Sequence, residues 1–257
     1  MIGPLAAAMR EAGAMALRSF RSPVRSWLKK GSSPVSETDV AVDRLLRQRL
    51  EAIGPNCGWL SEETEDDRRR LTADRVWIVD PIDGTRAFLA GLTDWSISVA
   101  LSERGRPVLA AVLVPCSDEL FLAHAGGGAT CNGRPIAAST GGVARARVAG
   151  PRRYVDRLAA AAPDLILAPK VHSLALRLTR VAQGTLDIAF ASASGHDWDL
   201  AAADLLMHEA GGALTTLTGD ILTYNRPDPT HGPLVAAGLS RHRQLTDLIR
   251  VLGIAHH

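Results

Sequence analysis

Cysteine is scarce in this chain of 257 residues, and its placement excludes two classes of protein. The three cysteines are Cys57, Cys116 and Cys131. Because their number is odd, their spacing is wide and no C-x-x-C occurs, the sequence supports neither a disulfide framework nor a zinc site. Free thiols are typical of a reducing compartment, so we expect the protein in the cytoplasm.

The sequence also lacks long apolar runs and an excess of charge of either sign. No run of about 18 apolar residues occurs, so no transmembrane helix is expected. Residues 1–10 lack a basic region followed by an apolar core, so we expect no signal peptide. Lys and Arg number 29 and Asp and Glu 27, a net charge of +2. This balance does not suggest a protein that binds nucleic-acid polymers, and we expect a small-molecule partner and no membrane.

The spacing of apolar residues changes repeatedly between helical and strand-like periods. Helices are predicted near residues 5–20, 36–53, 173–183, 200–210 and 244–252. Strands are predicted at 76–79, 96–101, 108–114, 119–123, 165–167 and 187–190, and near Leu214 and Leu234, and Lys29 to Pro34 is predicted to be a loop. We therefore expect one α/β unit over 1–257, with a meander-rich part (1–145) and a part that alternates strands and helices (146–257).

The segment from Asp80 to Thr85, D-P-I-D-G-T, carries the sharpest chemical signal. Asp80 and Asp83 lie three residues apart at the end of an apolar strand. Since proline cannot continue a central strand, the chain is expected to turn at Pro81 and aim both carboxylates and the Ile82 carbonyl at one point. Oxygen ligands of this kind suit a hard cation, Mg²⁺ above all.

The end of the same segment is suited to a phosphate. Gly84 would let the backbone approach a ligand closely, and Thr85 would open a helix whose free amides could hold a phosphate beside the metal. For an isolated D-x-x-D, a loop whose aspartates only cap and turn is the better interpretation. The complete hexapeptide, placed after a strand, favours the metal site instead.

Other acidic residues could complete such a site. Glu62 and Glu63 follow an apolar pair that would tie their loop to the core, and Asp39 and Asp199 stand at predicted helix starts. Taken singly, adjacent acids are usually solvated surface and an aspartate at a helix start is usually a cap. In combination, they predict a phosphatase with two or three Mg²⁺ that polarise the phosphate, generate hydroxide and stabilise the leaving oxygen.

At these residues the sequence resembles the inositol monophosphatase-like family of lithium-sensitive, Mg²⁺-dependent phosphatases. The matching motifs are Asp80–Thr85, Trp198-Asp199 with Ala201-Ala202 and Glu209–Gly212, Pro34–Asp39, and Ser61–Glu63. The resemblance implies a layered α/β/α/β/α sandwich of the inositol monophosphatase/fructose-1,6-bisphosphatase type. Members often dimerise, so a homodimer is a possible assembly.

The resemblance also implies roles for individual residues. It assigns Mg²⁺ binding to Glu62, Asp80, the Ile82 carbonyl, Asp83 and Asp199. Thr85 and Asp39 would form a hydrogen-bonded pair that positions and activates the attacking water, and Glu63 would support the site. The substrate phosphate would lie against Glu62, Ile82, Asp83, Gly84, Thr85 and Asp199, with Lys170 and Ser173 as further substrate contacts.

Three features favour the branch of 3′(2′),5′-bisphosphate nucleotidases, which hydrolyse 3′-phosphoadenosine 5′-phosphate to AMP. Leu60–Glu63 reads L-S-E-E where inositol monophosphatases usually have G-E-E. Arg86 supplies a cation where nucleotidases commonly carry Lys. Ser192 stands where inositol monophosphatases have a Glu that contacts inositol hydroxyls.

One departure opposes that assignment. Nucleotidases tend to have G-S-S-L-K where this chain has Val171–Ala175, which keeps Ser173 and Leu174 but not the Gly and Lys. Lys170 could supply the missing charge, and His172 and His196 are further candidates for substrate contact. Inositol-1-monophosphatase, another small-phosphate-ester phosphatase, and a regulatory binding protein on the same fold remain the alternatives.

Overall fold

The computed structural model describes residues 1–29 and 33–254, which form seven α-helices and sixteen strands. Within these residues the α-helices are α1 Ile2–Ser19, α2 Glu37–Ile53, α3 Thr85–Leu89, α4 Arg152–Ala161, α5 Leu174–Ala182, α6 Asp197–Glu209 and α7 Leu239–Val251. The strands are β1 Ser26–Leu28, β2 Pro34–Ser36, β3 Gly58–Ser61, β4 Arg75–Asp83, β5 Ser96–Glu103, β6 Arg106–Val114, β7 Glu119–His124, β8 Ala129–Cys131, β9 Arg134–Pro135, β10 Arg147–Ala149, β11 Ile166–Leu167, β12 Ile188–Ala191, β13 Gly195–His196, β14 Gly212–Thr216, β15 Thr230–His231 and β16 Leu234–Gly238. Part of the predicted loop from Lys29 to Pro34 lies outside the described residues.

Two large sheets organise these elements. The first has seven strands in the order β3-β4-β5-β6-β7-β8-β9, antiparallel except for the β3–β4 pair. The second has five strands in the order β11-β10-β12-β16-β14 and mixes parallel and antiparallel pairs. The first sheet is thus largely a meander and the second contains crossovers, and the division of the chain into parts 1–145 and 146–257 stays a prediction.

Helices cover the sheets on both sides and separate them. Helices α1 and α2 pack on the outer face of the seven-stranded sheet around one apolar cluster. Helices α5 and α6 lie between the two sheets around a second cluster, and α4 and α7 contribute to a third on the far face of the five-stranded sheet. The layer order is thus α/β/α/β/α, as expected. No helix in the described ranges is long and apolar enough to cross a membrane.

Strand β4 corrects the prediction that the chain turns at Pro81. The strand continues to Asp83 although β3 and β5 flank it. Asp80 pairs with Ser98 and Asp83 with Ser96, so three steps along β4 face two along β5. This extra residue is a β-bulge, and a bulge is where a central strand tolerates the missing N–H of a proline.

Local capping signals were accurate, whereas inward-facing polar residues hid other helix boundaries. Ser36 caps α2, and its side chain and that of Asp39 form a capping box. Helix α7 begins at Leu239, five residues before its predicted start. The prediction missed this first turn because Arg241 and His242 are polar, yet both are buried and make polar contacts. Helix α4 and strand β10 were not predicted at all.

Candidate active site

Three carboxylates from two distant parts of the chain meet at one point. Asp80 and Asp83 come from the end of β4 and Asp199 from the first turn of α6, and one oxygen of each lies within 4.8 Å of the others. In a regular strand, side chains three residues apart point to opposite faces. The bulge in β4 removes that opposition, so Asp80 and Asp83 can converge on the α6 N-terminus.

Hydrogen bonds hold each carboxylate in place. Asp83 Oδ2 accepts from Ser173 Oγ at 2.5 Å and from the Ala175 N–H at 2.6 Å, which ties it to the start of α5. Asp80 Oδ1 accepts from the Ile82 N–H at 3.0 Å. Asp199 Oδ2 accepts from the His196 N–H at 2.7 Å, so it does act as a cap while it faces the cluster.

The electrostatics of this cluster are unfavourable for bare carboxylates. Burial raises the pKa of Asp80 and Asp199 well above the usual range, and repulsion from neighbouring carboxylates adds to it. Burial likewise raises the pKa of Asp83 to about 6, against the hydrogen bonds from Ser173 and Ala175. Asp80 Oδ2 is buried and has no hydrogen-bond partner within residues 1–29 and 33–254. An all-oxygen donor set with an unpartnered buried oxygen fits a hard divalent cation, which would relieve the repulsion.

Glu62 and Glu63 lie beside the cluster and share a lysine that sequence reasoning missed. Lys29 Nζ donates to Glu62 Oε1 and to Glu63 Oε1, each at 2.8 Å. Burial alone would lower the pKa of Lys29, but the two carboxylates outweigh it and raise that pKa. Burial raises the pKa of Glu63 to about 7. The charge on Glu62 also helps to raise the pKa of Asp80, and the metal role of Glu62 stays a prediction.

Thr85 and Asp39 are joined as the family resemblance implied. Thr85 Oγ1 lies 3.0 Å from Asp39 Oδ1 and 3.0 Å from the Ile82 carbonyl oxygen, and it can donate to either. Asp39 Oδ2 accepts from the Ser36 N–H at 2.9 Å. Gly84 has φ +93°, a left-handed conformation that suits glycine at the turn between β4 and α3. Burial raises the pKa of Asp39. The roles of these residues in catalysis stay predictions.

The predicted substrate contacts have different surroundings. Ser173 is completely buried, caps α5 and bonds to Asp83, so the contact that the structure shows is with that carboxylate. Lys170 is exposed. His172 Nδ1 lies 2.7 Å from Asp94 Oδ2, and the His196 ring stacks on Trp198 with centroids 4.5 Å apart. Contacts of Lys170, Ser173 and the two histidines with a substrate stay predictions.

Two residues near the motifs prove to be structural. Ser61, which distinguishes L-S-E-E from G-E-E, is buried and donates to Asp43 Oδ1 of α2 at 2.5 Å. The contact that the structure shows for Ser61 is thus with α2, and L-S-E-E as a sign of the nucleotidase branch stays a prediction. Asp197 accepts from the Asn225 N–H at 2.7 Å and lies 2.7 Å from His231 Nε2, which fixes the start of α6 beneath the site. Sequence reasoning missed this second pair because its members are far apart in the chain.

Comparison with known proteins identifies the family of this chain. The model of the inositol monophosphatase family matches residues 2–251. The chain belongs to the inositol monophosphatase family. Family members are phosphatases, so the protein is a phosphoric monoester hydrolase, and the family is metal-dependent.

Relatives with different named substrates are equally similar to this family member. The inositol-1-monophosphatase of Rhizobium meliloti is 34% identical over 211 residues, which cover 75% of each chain. A 3′-phosphoadenosine 5′-phosphate phosphatase of Mycobacterium bovis is 34% identical over 207 residues, 74% of this chain and 72% of that protein. The extragenic suppressor protein suhB of Bartonella henselae superposes with a TM-score of 0.84 at 26% identity and covers 97% of each chain. Overall identity therefore does not select a substrate.

Proposed function

We propose that this family member is a Mg²⁺-dependent phosphomonoesterase that uses two or three Mg²⁺ ions. The observation that carries this proposal is the Asp80–Asp83–Asp199 cluster with its unpartnered buried oxygen. These three carboxylates, with Glu62 and the Ile82 carbonyl, are the groups that would hold the metal. When bound, Mg²⁺ supplies Lewis acidity toward the phosphate and lowers the pKa of water.

The protein's own groups then orient the nucleophile. The Thr85 hydroxyl can donate its proton to Asp39 and accept a hydrogen bond from a water molecule, because one oxygen serves both purposes. The backbone at Gly84 brings Thr85 beside the carboxylates. Water attacks phosphorus, a new P–O bond forms, the bond to the ester oxygen breaks, and that oxygen takes a proton.

We infer direct attack by water, without a phosphorylated enzyme. Asp80 and Asp83 are committed to the metal, and the hydroxyl of Ser173 is buried and donates to Asp83. Rapid acid quench of enzyme mixed with ³²P-labelled substrate should therefore leave no label on the protein. Label that is stable in acid and chases into inorganic phosphate would show a covalent intermediate instead.

As substrate we propose 3′-phosphoadenosine 5′-phosphate, converted to AMP. The turn formed by Ser192, Ala193 and Ser194 is exposed and uncharged, so it offers no carboxylate to accept hydrogen bonds from inositol hydroxyls. It also leaves room for a base. Two exposed cations support this proposal: Arg86 on α3, which follows the acidic segment, and Lys170 in the loop before α5.

Inositol 1-phosphate is the second candidate, because the relative from Rhizobium meliloti is as similar as the nucleotide phosphatase. Phosphate release with Mg²⁺ should be measured on 3′-phosphoadenosine 5′-phosphate, inositol 1-phosphate, fructose 1,6-bisphosphate and histidinol phosphate. We expect kcat/KM for the nucleotide to exceed that for inositol 1-phosphate by at least about tenfold, or ~1.4 kcal/mol. A higher kcat/KM for inositol 1-phosphate would refute the nucleotide assignment but not the phosphatase.

A further inference from the structure

A basic cavity lies beside the start of α5, where Val171 and Arg177 line it. Its volume is about 380 Å³. Three cationic side chains line it, Arg152 from α4, Lys170 from the loop after β11 and Arg177 from α5. Among the residues that the structure describes, the only carboxylate in this lining is that of Asp156. A concave site with three cations and one anion is suited to a ligand that carries more than one negative charge.

Arg177 is the member of this group that most needs a partner. Its Nη1 donates to the Val171 carbonyl at a long 3.3 Å. Its Nε is buried and has no hydrogen-bond partner in the part of the chain that the structure describes. A buried donor on a charged group is costly when unpaired, and a guanidinium matches the geometry of a phosphate or carboxylate.

The cavity and the acidic cluster share one short segment of the chain. Ser173, the N-cap of α5, donates to Asp83 at 2.5 Å, and the Arg177 N–H one turn later donates to the Ser173 carbonyl oxygen at 3.1 Å. Burial lowers the pKa of Arg177, and attraction by Asp83 opposes that lowering. The first turn of α5 therefore joins the residue that holds Asp83 to the arginine that lines the cavity.

Arg152 and Lys170 stand at the mouth of the cavity. Both are exposed, and neither has an ion-pair or hydrogen-bond partner within the described ranges. Because exposed cations are screened by solvent, each adds less than Arg177 does. They would attract an anion and orient it toward the guanidinium.

We propose that this cavity binds a second phosphate of the substrate while the first is hydrolysed at Asp80, Asp83 and Asp199. Arg177 makes the main contact, and Arg152 and Lys170 support it. This inference rests on the proposed phosphatase function and narrows its substrates to compounds with two separated phosphate groups. It also extends the predicted role of Lys170 to two arginines that no family motif includes.

The test compares substrates that differ only in the second phosphate. These are 3′-phosphoadenosine 5′-phosphate with adenosine 3′-phosphate, and fructose 1,6-bisphosphate with fructose 1-phosphate. For at least one pair, wild-type kcat/KM should favour the bisphosphate by about tenfold or more. Arg177→Met should remove most of that preference through KM, and Arg177→Lys should keep part of it.

Surface variants keep the test decisive if Arg177→Met does not fold. Arg152→Ala should lower kcat/KM for the bisphosphate by about three- to tenfold and leave the monophosphate within about twofold. Lys170→Ala should raise KM for the bisphosphate more than KM for the monophosphate. Arg153→Ala is the matched control, since it removes the same charge from the same turn of α4 but outside the cavity lining. It should change neither substrate.

Three results separate the possible failures. Equal losses on both members of a pair, or no wild-type preference in either pair, would overturn the second-phosphate site while leaving the phosphatase intact. Inorganic sulfate could instead activate the hydrolysis of adenosine 3′-phosphate in an enzyme that shows no preference for bisphosphates. If Arg177→Met abolished that activation, the cavity would be a site for free anions, and the second-phosphate site would again be overturned. No Mg²⁺-dependent hydrolysis of any of the four compounds would count against the proposed function itself.

Discussion

Replacement of Asp83 by asparagine should separate stability from catalysis. Asp83 is buried, and one of its oxygens accepts from Ser173 and Ala175. The amide oxygen of Asn can accept the same two hydrogen bonds, so the link to α5 is kept. The amide nitrogen would then face Asp80 and Asp199 and donate to them, whereas a carboxylate repels them.

The expected gain in stability follows from the raised pKa. Burial raises the pKa of Asp83 from 3.8 to about 6. The pKa of Asp83 is higher in the folded state than in the unfolded state. Its protonated form therefore contributes fully to the unfolding free energy below pH 3.8, and this contribution is lost as the pH rises through about 6. A shift of about two units corresponds to ~3 kcal/mol at most. In EDTA at pH 8, Asp83→Asn should raise the unfolding free energy by up to that amount, and the gain should largely vanish at pH 4.

The same change should nearly abolish turnover. Removing one ligand charge weakens metal binding and the Lewis acidity of the bound metal, and we expect a loss of at least ~2–3 kcal/mol of transition-state stabilisation. Denaturant unfolding in EDTA and phosphate release at saturating Mg²⁺ measure the two effects on one preparation. Retention of more than roughly a tenth of wild-type kcat, or a loss of stability in EDTA at pH 8, would refute the reasoning.

Two further changes test the surroundings of the site. Thr85→Val keeps the side-chain shape but removes the hydroxyl that bonds Asp39, so kcat should fall by about 10²-fold or more with little change in KM. Steady-state kinetics measure both constants, and a rise in KM with unchanged kcat would contradict the prediction. Asp204→Asn is the matched control for Asp83→Asn, since burial also raises the pKa of Asp204 to about 6 while Tyr224 donates to it away from the acidic cluster. At pH values above 6, the unfolding free energy of Asp204→Asn should exceed that of the wild type by up to ~3 kcal/mol. Below pH 4 the two should be equal, and kcat should be unchanged throughout. A difference in stability that does not depend on pH would show that charge is not the cause.

Much of the site was predictable because its signals are local. The D-P-I-D-G-T segment and the Ser36–Asp39 cap each carry their chemistry within six residues, so sequence alone placed them on the correct elements. The bulge at Pro81 was not predictable, because it depends on how β4 pairs with β5. It corrects the expected turn while explaining how Asp80 and Asp83 converge.

The features that sequence reasoning missed join residues that are far apart in the chain. Lys29 bonds Glu62, which follows it by 33 positions. Arg177 lines its cavity with Arg152, and each alone resembles an ordinary basic residue on an amphipathic helix. Such contacts follow from tertiary packing, which leaves no trace in periodicity or spacing.

The central claim is that this family member hydrolyses phosphate esters with a metal held by Asp80, Asp83 and Asp199. The most direct measurement is phosphate release from 3′-phosphoadenosine 5′-phosphate and inositol 1-phosphate by EDTA-treated protein during a titration with Mg²⁺. We expect no release without metal and a saturable return of activity with Mg²⁺, absent in Asp83→Asn. Release that is the same with EDTA and with Mg²⁺ would contradict the account.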